Sequence, residues 1–390
     1  MRKKVKRYKF IFFNNRMMKT ILYTLFLCIF LTTQAGYAKT YTVALFIPGQ
    51  SPFWILVTSF MQEAAHDLNI QLRVYDAKSD HVRMVRQVKE AVSGPDKVDA
   101  IVFQNFKKRA PRIIELAEKA EVYAYLFNSP VQAEENLGKP REKFKYWLGE
   151  MLPDDTRASE ALTRLLIKTA KKNKKIAPDG KVHIVGIGGR VADTASMARI
   201  QGLKTAIAAG DDAVLQQVVW TDWGSKQGET TGYGLLERYP ETSVVWSASY
   251  KISNGILKAI RRTGKIPGKD IFTNSVGLTE DILRQIIAGE ITATTGGHYI
   301  EPAWVLVQLY DYFHGIDFAE EGVSQRTAMP IITRKNATVF LQDITNDKLQ
   351  KNNLRRIDFT QYSKYLNPEL TKYQFNLESI FSQLQDTSNN

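Results

Sequence analysis

The sequence predicts an α/β fold of parallel sheets flanked by helices, and three observations carry that prediction. From Thr42 onward, short apolar strands alternate with amphipathic segments of roughly 10–18 residues, the order that buries parallel strands between two helical layers. The stretch YTVALFIPGQSPFW, residues 41–54, runs a continuous apolar strand into a Pro/Gly turn and presents two aromatics at the mouth of a helix. A polar segment at 128–145 and a basic turn, KKNKKIAPDG at 171–180, divide the alternation in the middle, and a chain of 390 residues ordinarily divides into two domains.

The elements follow in order. Residues 1–38 hold eight Lys and Arg (Arg2, Lys3, Lys4, Lys6, Arg7, Lys9, Arg16, Lys19) and no acid, then an apolar core at 21–31 and the small residues Gly36 and Ala38. That is the pattern of a cleaved export signal, with the mature chain expected from Lys39 and an alternative start at Met17 or Met18. Strands are expected at 42–47, 71–76, 100–103, 122–127, 181–187, 214–220, 243–246 and 270–275, with a closing strand at 328–333. Helices are expected between them at 53–68, 81–92, 111–119, 155–171, 194–209 and 225–236. Residues 339–390 read as a polar, partly helical extension.

Composition removes several classes of function. Of 53 Lys and Arg, eight lie in the leader, leaving 45 against 40 Asp and Glu, so the mature surface gives no case for nucleic acid. The single cysteine, Cys28, leaves with the leader, and the mature chain has no thiol chemistry. The five histidines are scattered without metal-ligand spacing. The run Gly186-Ile187-Gly188-Gly189 lacks the full dinucleotide spacing and its distant acid. No nucleophile elbow, phosphate loop or paired carboxylate at a strand end is present, which reads as a non-enzyme with neither cofactor nor metal.

Ligands of open α/β sheets bind beyond the carboxyl ends of strands. Phe53 and Trp54 sit there, behind a strand end and a Ser-Pro turn, and are expected to contact a ligand. Trp220 and Trp246 fall inside strand patterns and are expected in the core. Arg199, among Met197, Ala198 and Ile200, is expected to face a pocket rather than solvent.

The order of motifs resembles the type I periplasmic binding proteins of the ribose-binding kind. The carriers are the export leader, Pro52-Phe53-Trp54 after the first strand and the run from Val98 to Val102. They continue with GxKxxI from Gly202 to Ile207, the Pro-Glu-Thr-Ser-Val-Val strand entry from Pro240, and Ala288-Gly289-Glu290-Ile291. The resemblance covers residues 41–333. It implies two Rossmann-like lobes joined by a three-stranded hinge, with crossovers near Gly149, Gly297 and Ala328. The lobes would be 39–148 plus 298–327 and 149–297 plus 328–338. It also implies a ligand shell: Phe53 and Trp54 stacking a sugar ring, Ser51 and Asn128 as polar contacts, Arg199 forking onto hydroxyls, Trp223 completing the sandwich, and Ser249 at a strand end. Gln50, Trp147, Tyr250 and His298 complete the expected site.

Departures from the family pattern matter as much. Gly277 stands where an Asp is frequent, Ser129 where an Arg is, Tyr250 and Lys251 where Asp is common, and Gly297 where a polar residue is usual. A plain pentose pocket therefore lacks several hydrogen-bond partners. The resemblance implies a periplasmic, monomeric protein that captures a sugar-like ligand for an ABC permease. Two sensor alternatives, both signalling to a membrane histidine kinase, remain open. One takes an autoinducer-2-like ligand, suggested by Pro48-Gly49-Gln50. The other takes a methylated amine in an aromatic cage of Phe53, Trp54, Trp147, Trp223 and Tyr250. A transcription regulator would need a DNA-reading domain where this chain has its leader.

Overall fold

Two six-stranded sheets organise the chain, and each is built as the alternating pattern requires. The computed structural model describes residues 39–345 and 354–385, so the expected export leader lies outside the described residues. β1 (Thr42–Ile47), β2 (Gln71–Asp76) and β3 (Ala100–Phe103) keep the bounds expected from their apolar runs. With β4 (Tyr123–Phe127), β5 (Trp147–Pro153) and β11 (Ser324–Thr327) they form the first sheet, in the order β11-β5-β4-β3-β1-β2. The second sheet holds β6 (Val182–Gly188), β7 (Ala213–Trp220), β8 (Thr242–Ser247), β9 (Phe272–Val276), β10 (Ala293–Thr295) and β12 (Ile331–Thr333). Its order is β12-β10-β9-β8-β6-β7, with β12 alone antiparallel to its neighbour.

Helices cover both faces. The first lobe carries α1 (Pro52–Asp67), α2 (His81–Ala91), α3 (Ala110–Ala120) and, after the chain returns, α9 (Glu301–Phe313), which packs on α1. The second lobe carries α4 (Asp155–Lys172), α5 (Thr194–Ala208), α6 (Ser225–Arg238), α7 (Tyr250–Arg262) and α8 (Glu280–Ala288). Strands such as β1, β3 and β4 are buried almost throughout because helices shield both sides, which is why they read as unbroken apolar runs rather than alternating ones.

The chain passes between the sheets three times. Two passages fall where expected, at residues 296–300 between β10 and α9, and at 328–330 between β11 and β12. The first does not. Gly149 lies inside β5, which pairs with β4 and β11, so the crossing comes after Pro153 and residues 149–153 belong to the first sheet. β5 and the polar edge strand β11 were not expected as strands. Ser324–Thr327 carries no apolar signal and is held by its register with Glu150–Pro153. The closing strand is also shorter than expected, Ile331–Thr333.

The segment past residue 338 corrects the expectation of a polar tail. α10 (Ala337–Thr345) packs on α8 of the second lobe, whereas residues 354–376 lie on α9 and α1 of the first. α11 (Leu377–Gln385) touches α10. Leu354, Phe359, Ile380 and Leu384 are fully buried in the largest core cluster, with Phe60, Tyr299 and Trp304. Burying one such side chain is worth about 1.5–3 kcal/mol. The anchor is Asp311 on α9, completely buried. It accepts from Ser363 Oγ at 2.5 Å, the Lys364 and Tyr365 amides at 2.8 and 3.2 Å, and Tyr373 Oη at 2.9 Å. A buried carboxylate is tolerated when its lone pairs are filled this way.

Candidate functional site

A cleft of about 360 Å³ opens between the carboxyl ends of the strands of the two sheets. This is within the range of small-molecule sites. The first lobe lines it with Pro48 to Trp54 and Leu56 from the β1–α1 turn, Gln104 to Phe106 after β3, and Asn128 and Ser129 after β4. The second lobe supplies Arg190 and Asp193 after β6, Asp222 and Trp223 after β7, Ser249 to Lys251 after β8, and Val276 to Thr279 after β9. Gly297, His298 and Tyr299 come from the second passage between lobes.

Ten of the eleven expected residues therefore meet in one cleft: Gln50, Ser51, Phe53, Trp54, Asn128, Arg199, Trp223, Ser249, Tyr250 and His298. Trp147 does not. It opens β5 on the far face of the first sheet, buried with Phe46 and Leu126, its Nε1 donating to the Gly149 carbonyl at 3.2 Å. A tryptophan at a strand start goes to whichever face the pleat assigns, and here that face is core. Trp246 is buried as expected, and Trp220 packs against the same second-lobe core.

The aromatic wall is pre-set. Phe53 meets Trp54 edge-on at 4.9 Å and His298 at 4.8 Å, and Trp54 in turn meets Phe127 at 6.1 Å. Across the cleft Trp223 donates its Nε1 to Asp193 at 2.6 Å and lies so close over Gly189 that a Cβ there would collide with the ring. That close approach, not dinucleotide binding, explains the glycine after β6. Three non-glycine cleft residues hold left-handed backbone, Ser79 at φ 64°, Asn128 at φ 62° and Trp223 at φ 67°. For a bulky aromatic this costs about 1–3 kcal/mol, and such outliers concentrate at ligand sites.

The polar groups fall into two sets. Beside the aromatics, Asn128 Nδ2 and Ser129 Oγ both donate to Gln104 Oε1, at 3.1 and 3.2 Å, making an uncharged buried network. On the other lobe, Arg199 gives Nε to Asp155 at 2.6 Å and Nη1 to the Ala248 carbonyl at 3.0 Å, leaving Nη2 without a hydrogen-bond partner among the described residues. The pair is almost fully buried, at 7% exposure for Arg199 and 3% for Asp155, and burial raises the Asp155 pKa against the pull of the guanidinium. Arg190 bridges Asp222 at 3.0 Å and Asp193 at 3.7 Å. His298, 8% exposed, is held well below the usual imidazole pKa by burial and by the Arg199 charge, so it is neutral at pH 7. Glu301, two residues after Tyr299 of the cleft wall and fully buried, is raised well above the carboxylate range by burial and accepts from Thr327 at the third passage.

Residue-by-residue reasoning missed Gln104, Asn105, Arg190, Asp193 and Asp222. The signal was available, since each lies directly beyond the carboxyl end of β3, β6 or β7, the same rule that selected Phe53.

No family model matches the chain, and no curated protein matches it. Solved structures do. A periplasmic sugar-binding protein from Pseudomonas fluorescens superposes with a TM-score of 0.75 at 27% identity, covering 87% of this chain and 99% of that one. This chain has the type I periplasmic binding protein fold. Among its other structural neighbours, the arabinose transporter component of Shewanella sp. ANA-3 is bound to L-arabinofuranose. It has a TM-score of 0.68 at 19% identity, covering 80% of this chain and 98% of its own. A solute-binding protein of Bacillus halodurans, bound to myo-inositol, has 0.64 at 17%, covering 78% and 99%. Within a type I periplasmic binding protein the cleft lies where the three passages between lobes allow one sheet to rotate against the other.

Proposed function

We propose that this protein is a periplasmic solute-binding protein that captures a sugar or sugar-like molecule between its lobes and presents it to an ABC importer. The carrying observation is the composition of one cleft. Phe53 and Trp54 come from one lobe, Trp223 and Arg199 from the other, all beyond strand ends. Aromatic faces pack on the C–H face of a sugar ring, and a guanidinium with one nitrogen free suits a hydroxyl pair. A periplasmic sugar-binding protein and an arabinofuranose-bound transporter component among the structural neighbours support the reading.

The mechanism is closure. A ligand touching both walls binds the closed form better than the open one and shifts the population by that difference. The closed lobes form the surface a permease reads. The protein acts as a monomer, outside the cytoplasm once the leader is removed, and turns nothing over. The methylated-amine cage is weakened because Trp147 lies in the core rather than the cleft.

Thermal denaturation of the purified protein with a panel of pentoses, hexoses, furanoses and inositols tests the proposal. At least one compound raises Tm in proportion to the logarithm of its concentration. A panel in which none does, or a ligand recovered chemically altered, refutes it.

A further inference from the structure

We propose that the cleft is built for a sugar bearing an anionic group, a sugar acid, rather than a neutral sugar. The inference rests on the sugar-capture reading above and names the ligand class of that same site. Three cations, Arg190, Arg199 and Lys251, line the cleft against two carboxylates, Asp193 and Asp222, so the argument turns on which groups remain available to a ligand. Every carboxylate lining the cleft is already engaged. Asp193 accepts from Trp223 and faces Arg190, while Asp222 is bridged by Arg190 at 3.0 Å. Asp155, behind the wall, is taken by Arg199. The positions where the family pattern favours Asp, now Gly277, Tyr250 and Lys251, all line the cleft and bring no carboxylate to it.

What is left over is donating. Arg199 keeps Nη2, and among the described residues Lys251 makes no ion pair, its ammonium lying 5.9 Å over the Tyr250 ring. Lys251 also sits in the first turn of α7, where the helix dipole disfavours a cation unless an anion is near. α1 and α7 start at the cleft with Ser51 and Ser249 as their caps and carry no acid in the first turn, although Ser249 Oγ already accepts from the Ile252 amide, whereas α5 is capped by an acid, Asp193. Helix N-termini with free amides favour anions. A second, independent feature marks the same place. His298, more than nine-tenths buried in the cleft wall, has an Nδ1 with no hydrogen-bond partner among the described residues.

Neutral sugars are ordinarily held by carboxylates that accept from their hydroxyls. Hydroxyls can also accept from the donors left here, but only an anion adds charge complementary to Lys251 at the start of α7. A carboxylate on a sugar ring does so, with the ring on Phe53 and Trp54 and the charge toward Arg199, Lys251 and the start of α7.

Calorimetric titration of the protein with paired probes tests this: D-galactose against D-galacturonate, D-glucose against D-glucuronate, and D-galactose 6-phosphate as a third arm. Sugar acids are expected to bind at least about tenfold tighter than their neutral partners, and to weaken several-fold between 50 and 500 mM NaCl while neutral sugars do not. Lys251→Gln reduces the acid-to-neutral ratio about tenfold. A sugar phosphate that outbinds the carboxylates also supports the proposal and makes phosphate the anion. A neutral sugar binding as tightly as its acid, with no salt dependence, overturns the proposal and leaves sugar capture standing. If neither kind binds, sugar capture itself falls and this inference with it.

Discussion

The two walls of the cleft are made of different physics. The first lobe offers Phe53, Trp54 and Phe106 with the uncharged network of Gln104, Asn128 and Ser129, whereas the second offers Arg190, Asp193, Arg199, Asp222 and Lys251 around one aromatic, Trp223. Stacking and burial on the first wall are short-ranged and indifferent to salt. Charge on the second acts further and orients what arrives. The difference teaches that ring recognition and discrimination between ring substituents are separated, one to each lobe, so that only the closed protein reads both.

The largest expected effect breaks the ionic wall. Arg199→Ala leaves Asp155 buried without its guanidinium, and the unliganded protein loses about 3–5 kcal/mol in urea unfolding. The double variant Arg199→Met with Asp155→Leu recovers most of it, since replacing a buried pair by apolar groups is frequently neutral. If Arg199→Ala unfolds at the same urea concentration as the parent, the second wall does not hold a buried pair.

Next comes the aromatic wall. Trp54 is only half-buried, so Trp54→Ala costs ligand affinity rather than fold: roughly 2 kcal/mol, or about 30-fold, with the unliganded Tm shifted by less than about 3 °C. Retention of the full ligand-induced Tm shift takes Trp54 out of recognition.

The smallest effect is at the junction of the walls. The folded pKa of His298 lies well below 6.5, so the unfolded chain takes the proton first. Its stabilisation is therefore complete above about pH 6.5 and is lost as pH falls, by at most about 1.4 kcal/mol per pH unit. His298→Gln removes that share of the slope. Equal slopes from pH 7 to 5 in parent and variant, measured by denaturant unfolding, show that the imidazole titrates normally.

Legibility in the sequence differed between these regions for identifiable reasons. The strand β1 and its aromatic pair were readable because a buried parallel strand needs no partner to look apolar, and Phe53 and Trp54 follow it at once. β11 was not, because Ser324–Thr327 is a polar edge strand recruited by the backbone of β5. Trp147 was misplaced because a side chain's face in a sheet depends on pleat register, which one residue of slip reverses. The C-terminal segment read as a tail because Asn, Gln and Lys dominate it. Its buried residues are spaced too widely to form a run, and they are gathered by Asp311, 52 residues before Ser363.

By itself the sequence determined the alternation of strand and helix, the two-lobed plan and the residues that stand beyond strand ends, because those depend on neighbours along the chain. Tertiary structure decided which tryptophan faces the cleft, which carboxylates are spoken for and that Lys251 makes no ion pair among the described residues. Those are matters of pairing between residues such as Asp155 and Arg199, 44 positions apart, and only folding brings them within 2.6 Å.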